Sequence, residues 1–174
     1  PCGNDILFDV FNIRSADPDN TYPVEVGKLR VLVGGAGTPQ QFYADSFETN
    51  LGWTFTGSTE WEQRSPLGKG GGNSFPGQPT PKPDPTSAFA GTKVMGNDLT
   101  GTTPSIGNYE SNQDAIATSP AINCSDAVNV TLQFARWLNV IPQDIASVEI
   151  SNNGTTWTTI YTDNDGNEST SWTL

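Results

Sequence analysis

Histidine is absent from this chain of 174 residues. Its absence removes the commonest general base, the Ser-His-Asp and Cys-His nucleophile arrangements, and His-ligated zinc or iron. Positive charge is scarce as well. Eight Lys and Arg stand against 19 Asp and Glu, a formal net charge of -11, which repels phosphate backbones and anionic membrane surfaces. Neither nucleic acid nor membrane insertion is expected, and no apolar run approaches the roughly 20 residues a spanning helix needs. The two cysteines, Cys2 and Cys124, form neither a CxxC nor a zinc spacing, so thioredoxin-like and structural zinc readings fail. The opening "PCGNDILFDV" lacks the basic start and small-residue cleavage site of a signal peptide. The chain is therefore read as beginning after processing, or inside something larger.

Gly, Asn and Thr are abundant, and Asn-x-Ser/Thr triplets occur at Asn123, Asn129, Asn153 and Asn167. This composition suits an extracellular surface, although in a Thr-rich chain such triplets arise often by chance. Paired carboxylates can support glycoside hydrolysis without histidine. Here the acids lie mostly in Gly, Asn and Thr-rich turns rather than at the ends of core strands, and a non-catalytic chain is expected.

The hydrophobic period is two almost throughout. In "VNVTLQFARW", Val128, Val130, Leu132 and Phe134 alternate with Asn129, Thr131, Gln133 and Ala135, which predicts a strand with one row in the core. "ASVEIS" places Ala146, Val148 and Ile150 on one face, and "NNGTTWTTIY" leads through an Asn-Gly turn into a strand bearing Trp157, Thr159 and Tyr161, a hairpin. "DILFDVFNI" and "VEVGKLRVLV" read as two further strands, and "TEWEQ", "TKVMG" and "QDAIATSP" as shorter ones. No stretch has the helical period. Short strands separated by Gly, Pro and Asn predict an all-β fold, an antiparallel β-sandwich or jelly roll.

Two stretches interrupt this rhythm. Residues 65–91 are rich in Gly and Pro and cannot hold a ladder, so they form a surface loop that is either functional or an insertion covering a sheet face. "GGAGTP", 34–39, follows a completed strand and reads as an interdomain linker.

From Asp45 onward, "DSFETNLGWTFTGSTEWEQRSP", "AGTKVMGNDLTG", "GNYESNQDAIATSPAINCSDAVNVTLQFARWL", "ASVEISNNGTTWTTIY" and "STSWTL" follow one another in an order that resembles the MAM-like, concanavalin-like jelly-roll accessory domains. Such domains are attached to secreted bacterial peptidases and other multidomain surface proteins. The resemblance covers about three quarters of the chain and rests on the series rather than on any single motif. It implies a division into residues 1–40, the last strands of a preceding Ig-like sandwich plus a linker, and 41–174, a jelly roll incomplete at its C-terminal end. Missing strands would leave unpaired edges, to be covered by the remainder of a parent chain or by a strand donated from a neighbouring subunit; the first is favoured because both ends look truncated. Cys2 and Cys124 then lie in different domains and are expected not to bond, the family's partner for a cysteine at Cys124 lying in the absent closing segment.

The function implied is a non-catalytic extracellular module for adhesion, scaffolding or targeting to a substrate such as a glycan. An accessory region of a secreted peptidase, or a filament or surface-layer subunit, is the alternative. Exposed aromatic rings stack on sugar faces, and the candidates are Trp61, Phe75, Phe89 and Tyr109; Trp53, Trp137 and Trp157 are expected in the core. The resemblance also implies calcium near the entrance of the first jelly-roll strand. Calcium takes hard oxygen ligands from turns, and the candidate ligands are Asp45 and Glu48 with Asp84, Asn97, Asp98 and Asn108. The competing reading is that Asp45 caps a turn and Glu48 bonds backbone N–H groups, with no ion.

Overall fold

The computed structural model describes residues 7–14, 24–33, 40–57, 61–71, 82–99, 107–109, 112, 114–124, 130–140, 143–164 and 169–174. Among them there is no helix, and ten strands account for the regular structure: β1 (Leu7–Arg14), β2 (Val24–Val33), β3 (Gln40–Asp45), β4 (Thr54–Gly57), β5 (Trp61–Arg64), β6 (Val94–Asn97), β7 (Asp114–Thr118), β8 (Val130–Leu138), β9 (Ile145–Ser151) and β10 (Thr158–Asp163). All pairings are antiparallel. The first sheet runs β10-β9-β1-β7-β4. In the second, β8 covers one edge of β2 from Val24 to Val33, while β6 and β3 share the other edge end to end, β6 at Glu25 and Val26 and β3 from Leu29 to Val33. β5 completes this sheet beside β6. The all-β sandwich expected from the period-two pattern is the observed class.

The described strands pair across the expected division at residue 40. β1 lies inside the first sheet between β9 and β7, and β2 is the central strand of the second. Both belong to the sandwich that the later strands build. Residues 34–39 lie outside the described residues; the strands on either side of them pair directly, with Val33 opposite Gln40. Val26, Leu29 and Val31 are completely buried and belong to the core cluster that the later strands share.

Those three residues break simple alternation, since Val26 and Leu29 have opposite parity. A register shift between Val26 and Lys28 resolves it: Val26 pairs with Arg136 and Lys28 with Ala135, so Gly27 is the extra residue of a bulge. Apolar side chains on both sides of the bulge then reach the same core.

Between the sheets, the first presents small residues, Ala115, Ala117, Ala146 and Val148, while large ones come from the second sheet and from loops: Leu29, Met95, Trp61, Leu138, Phe47, Trp53 and Tyr109. Large against small fills the space at native density. The β9–β10 hairpin forms at the predicted turn: the Asn153 side-chain oxygen accepts the N–H groups of Thr155 and Thr156 at 2.9 and 2.8 Å, and Gly154 takes φ 71°. Trp157 precedes β10 and is half-buried rather than part of the core. Cys124 is buried in the core; Cys2, its candidate partner, lies outside the described residues.

Leu29 sits at the middle of β2 with no exposure. Leu29→Ala is expected to cost about 2–5 kcal/mol, measured by chemical denaturation with an unchanged denaturant slope.

Candidate functional site

The six residues expected around calcium separate into distinct groups. Asp45 ends β3 rather than opening a strand. One of its carboxylate oxygens accepts the Phe47 N–H at 2.7 Å; the other accepts the Trp53 indole N–H at 2.8 Å and the Tyr43 hydroxyl at 3.2 Å. Phe47 is held at φ 62°, a left-handed conformation unfavourable for an aromatic residue, and the Asp45 bond to its N–H stabilises that turn. The reward is burial: Phe47 has no exposure and meets Trp53 edge-on at 5.7 Å. Burial first, then the charge and hydrogen bond of Asp45, push the Tyr43 hydroxyl well above its ordinary range, so it stays a donor.

Glu48 clamps a second junction. Its carboxylate accepts the N–H of Thr92 at 2.7 Å, the N–H of Lys93 at 2.9 Å and the Thr92 hydroxyl at 2.8 Å, while Lys93 Nζ donates to the Glu48 carbonyl at 2.9 Å. This ties the turn after β3 to the segment entering β6. Asp45 and Glu48 are each engaged by three donors, the arrangement of the ion-free reading.

Asp84, Asp98 and Asn108 do come together. Asp98 Oδ2 accepts the Gly107 N–H at 3.2 Å, and a Cβ on Gly107 would lie 2.9 Å from Asp84 Oδ2, so both carboxylates converge on one glycine. Asn108 Oδ1 accepts the Gly71 N–H at 2.9 Å, and the Asp84 N–H donates to the Lys69 carbonyl at 2.6 Å. Both carboxylates are buried, Asp84 at 2% and Asp98 at 6% exposure. Gly107, at φ 73°, is where only glycine fits. Asn97 shares the core-facing side of its strand with Met95 and lies opposite Trp61; neither its side-chain oxygen nor its nitrogen has a hydrogen-bond partner among the described residues. No three Asp, Glu or Cys side chains form a metal-binding group among the described residues. The Asp84–Asp98–Asn108 set, with two carboxylates and an amide, fits the oxygen chemistry of calcium in kind.

The aromatic candidates are also re-sorted. Trp61, at 3% exposure, and Tyr109, at 0%, are core residues; the Tyr109 hydroxyl donates to Asp144 Oδ2 at 2.7 Å. Neither offers a ring to a ligand. Phe75 lies outside the described residues. Phe89 is on the surface, 40% exposed, and belongs to a group that the sequence reading missed. Its ring meets Trp172 at 6.1 Å, and Trp172 meets Trp137 at 5.8 Å, both edge-on. Trp137, expected in the core, is half-buried and of the parity of Thr131 and Gln133, on the outer face of the second sheet. Parity within "VTLQFARWL" was the signal that would have found it.

The group is built over the bulge. A Cβ on Gly27 would lie 2.5 Å from the Phe89 Cβ and 2.8 Å from the Trp172 ring, so the rings rest on bare backbone. The indole N–H groups of Trp137 and Trp172 donate to the carbonyls of Pro83 and Ser87, each at 3.1 Å, which fastens residues 82–90 of the long loop onto this sheet. Comparison with family models, with curated proteins and with solved structures returns no match. What the surface can do is therefore argued from its geometry.

Two outcomes follow. Gly27→Val displaces the Phe89 and Trp172 rings and is expected to destabilise by about 1–3 kcal/mol through overpacking, read by denaturant unfolding together with a shift in tryptophan emission. The Glu48 carboxyl is held below its ordinary value of 4.5, first by the Thr92 N–H, then by the Lys93 N–H and the Thr92 hydroxyl. Its contribution is full above the unfolded-state value and is lost as pH falls through the lower folded value. Glu48→Gln is expected to lower the melting temperature at neutral pH and to flatten its fall below about pH 4.5, measured by calorimetry against pH.

Proposed function

We propose that the chain is a non-catalytic binding module of a secreted or cell-surface protein, and that it docks to an extracellular glycan through the outer face of its second sheet. The observation that carries this reading is the Phe89–Trp172–Trp137 group, three contiguous aromatic rings on the outside of a sheet. Flat apolar faces of sugars stack on such rings, and the tryptophan N–H groups are already turned inward onto Pro83 and Ser87, leaving ring surface rather than polar edges for the ligand. A neutral polysaccharide suits a chain of net charge -11, because an anionic polymer would be repelled. Asp45 and Glu48, acids close together in a chain without histidine, hold backbone turns, which supports a role without catalysis.

The test is a glycan array of plant, algal and bacterial polysaccharides. Binding lost in Phe89→Ala and Trp172→Ala, with cooperative unfolding retained, is the expected result. An absence of binding across all three glycan classes would sink the reading.

Calcium is proposed as a structural ion of the same module, held by Asp84, Asp98 and Asn108. Two buried carboxylates both approach Gly107, and a divalent cation beside it would draw on the oxygens of both. Millimolar calcium is expected to raise the melting temperature of the wild-type chain relative to excess chelator. Asp98→Asn should abolish that rise and Glu48→Gln should preserve it; an equal response in both variants, or none in wild type, would remove the ion from this site.

A further inference from the structure

The outer face of the second sheet carries more than its aromatic rings. Within β2, Leu29 and Val31 are buried in the core, so Lys28 and Arg30, which alternate with them, stand on the opposite face. Across the strand pair, Lys28 lies opposite Ala135 and Arg30 opposite Gln133. Lys28 directly follows Gly27, the bare backbone on which Phe89 and Trp172 rest, and Arg30 is one step further, about 7 Å along the strand. Trp137, Ala135 and Gln133 run beside them on β8. The aromatic group and the two cations therefore form one continuous strip. Because β2 is hydrogen-bonded to β8 on one side and to β6 and β3 on the other, the cations stand inside the sheet and not at an open edge.

Both cations lack a counter-charge. The chain sets eight Lys and Arg against 19 Asp and Glu, so acids are plentiful. Arg64 pairs with Glu62 and Arg136 with Asp163, whereas no carboxylate pairs with Lys28 or Arg30 among the described residues. Arg30 Nη2 donates instead to Gln133 Oε1 at 3.1 Å, which holds the guanidinium against β8, and its Nε is buried with no partner among the described residues. A neutral amide compensates a guanidinium only in part, and incompletely compensated charge away from water is unfavourable. With its oxygen engaged, the half-buried Gln133 keeps its amide N–H groups as further donors.

We infer that this strip recognises a hexuronic acid, a sugar bearing a carboxylate, within an otherwise neutral glycan. The inference rests on the glycan reading above and narrows its ligand. The rings take the face of a neutral sugar, and the carboxylate of a neighbouring sugar meets Arg30 and Lys28. A guanidinium matches a carboxylate in planar, two-donor geometry, and Lys28 adds a mobile ammonium. The net charge of -11 opposes a polymer charged at every residue. A single carboxylate is governed by the cations nearest it, because exposed charges beyond about 8–10 Å are largely screened at ordinary salt.

The experiment titrates the full chain with xylotriose carrying one glucuronic acid, and with the methyl ester of the same tetrasaccharide, by calorimetry and tryptophan emission. The ester keeps the sugar faces and removes the charge. Binding of the acid is expected to be about tenfold tighter at low salt, the difference narrowing as salt rises. Arg30→Gln should bring the two ligands to equal affinity while the ester binds as before. Lys28→Gln should remove part of the preference, and it keeps the test valid if Arg30→Gln folds poorly. Trp172→Ala should weaken both ligands alike. Equal binding of acid and ester by the wild-type chain, lost in Trp172→Ala, would overturn this inference and leave the glycan reading standing. A preference for the acid that survives both Arg30→Gln and Lys28→Gln would overturn it by placing the carboxylate elsewhere. Binding of neither ligand would also overturn it, and the glycan array then decides the broader reading separately.

Discussion

The bulge in β2 is the constraint on which the rest of the sandwich depends. β2 is hydrogen-bonded on both edges, to β8 along its full length and to β6 and β3 in turn. Without the extra residue at Gly27, Val26 and the pair Leu29 and Val31 would face opposite sides of the sheet, because strand side chains alternate strictly. One inserted residue brings them into a single core. The same residue leaves bare backbone on the outer face, where Phe89 and Trp172 settle at distances that no side chain would allow. Core and candidate binding face therefore share one local cause.

The two acids near residue 45 illustrate how charge is accommodated in a chain short of cations. Carboxylates close in sequence repel each other in the absence of compensation, and the compensation here is a set of N–H and O–H donors. Asp45 takes one backbone and two side-chain donors, and Glu48 takes two backbone donors and a hydroxyl. Hydrogen bonds to an ionised acceptor are stronger than those between neutral groups, which suits them to turns with unfavourable backbone geometry such as Phe47. Asp45 holds the turn at the exit of β3 and ties it to Trp53, while Glu48 ties the same exit to Thr92 and Lys93. Asp84 and Asp98 both approach Gly107, Asp98 through its N–H and Asp84 beside its Cα.

Most strands were legible because short-range pattern marks them: β5, β6, β7, β8 and β9 overlap the stretches predicted from alternation, and β2 coincides with its apolar run despite the bulge. β3 and β4 were not, since "QQFYAD" and "TFTG" are short and carry little apolar alternation; they are strands because β2 and β7 supply their hydrogen bonds. The site was less legible than the fold. Trp61 and Phe89 look equivalent in sequence, each an aromatic residue near a turn. Pairing of β5 with β6 turns Trp61 into the core opposite Asn97, whereas Phe89 is held outside by Trp172, a residue 83 positions away in the chain.

What the sequence by itself determined was the all-β class, the face of each clearly alternating strand, the Asn-Gly hairpin and the want of histidine chemistry. These depend on residues within a few positions of one another, where side-chain period and turn propensity act directly. The tertiary structure alone decided that β1 and β2 pair within these sheets, that Asp84 and Asp98 both approach Gly107 while Asp45 and Glu48 bond elsewhere, and that Trp137 and Trp172 form a surface with Phe89. Each of those outcomes is a non-local pairing. Strand alternation says which side a residue faces, but not which strand lies beside it or which loop folds across it, and that choice is settled only when the whole set of edges and apolar rows is satisfied together.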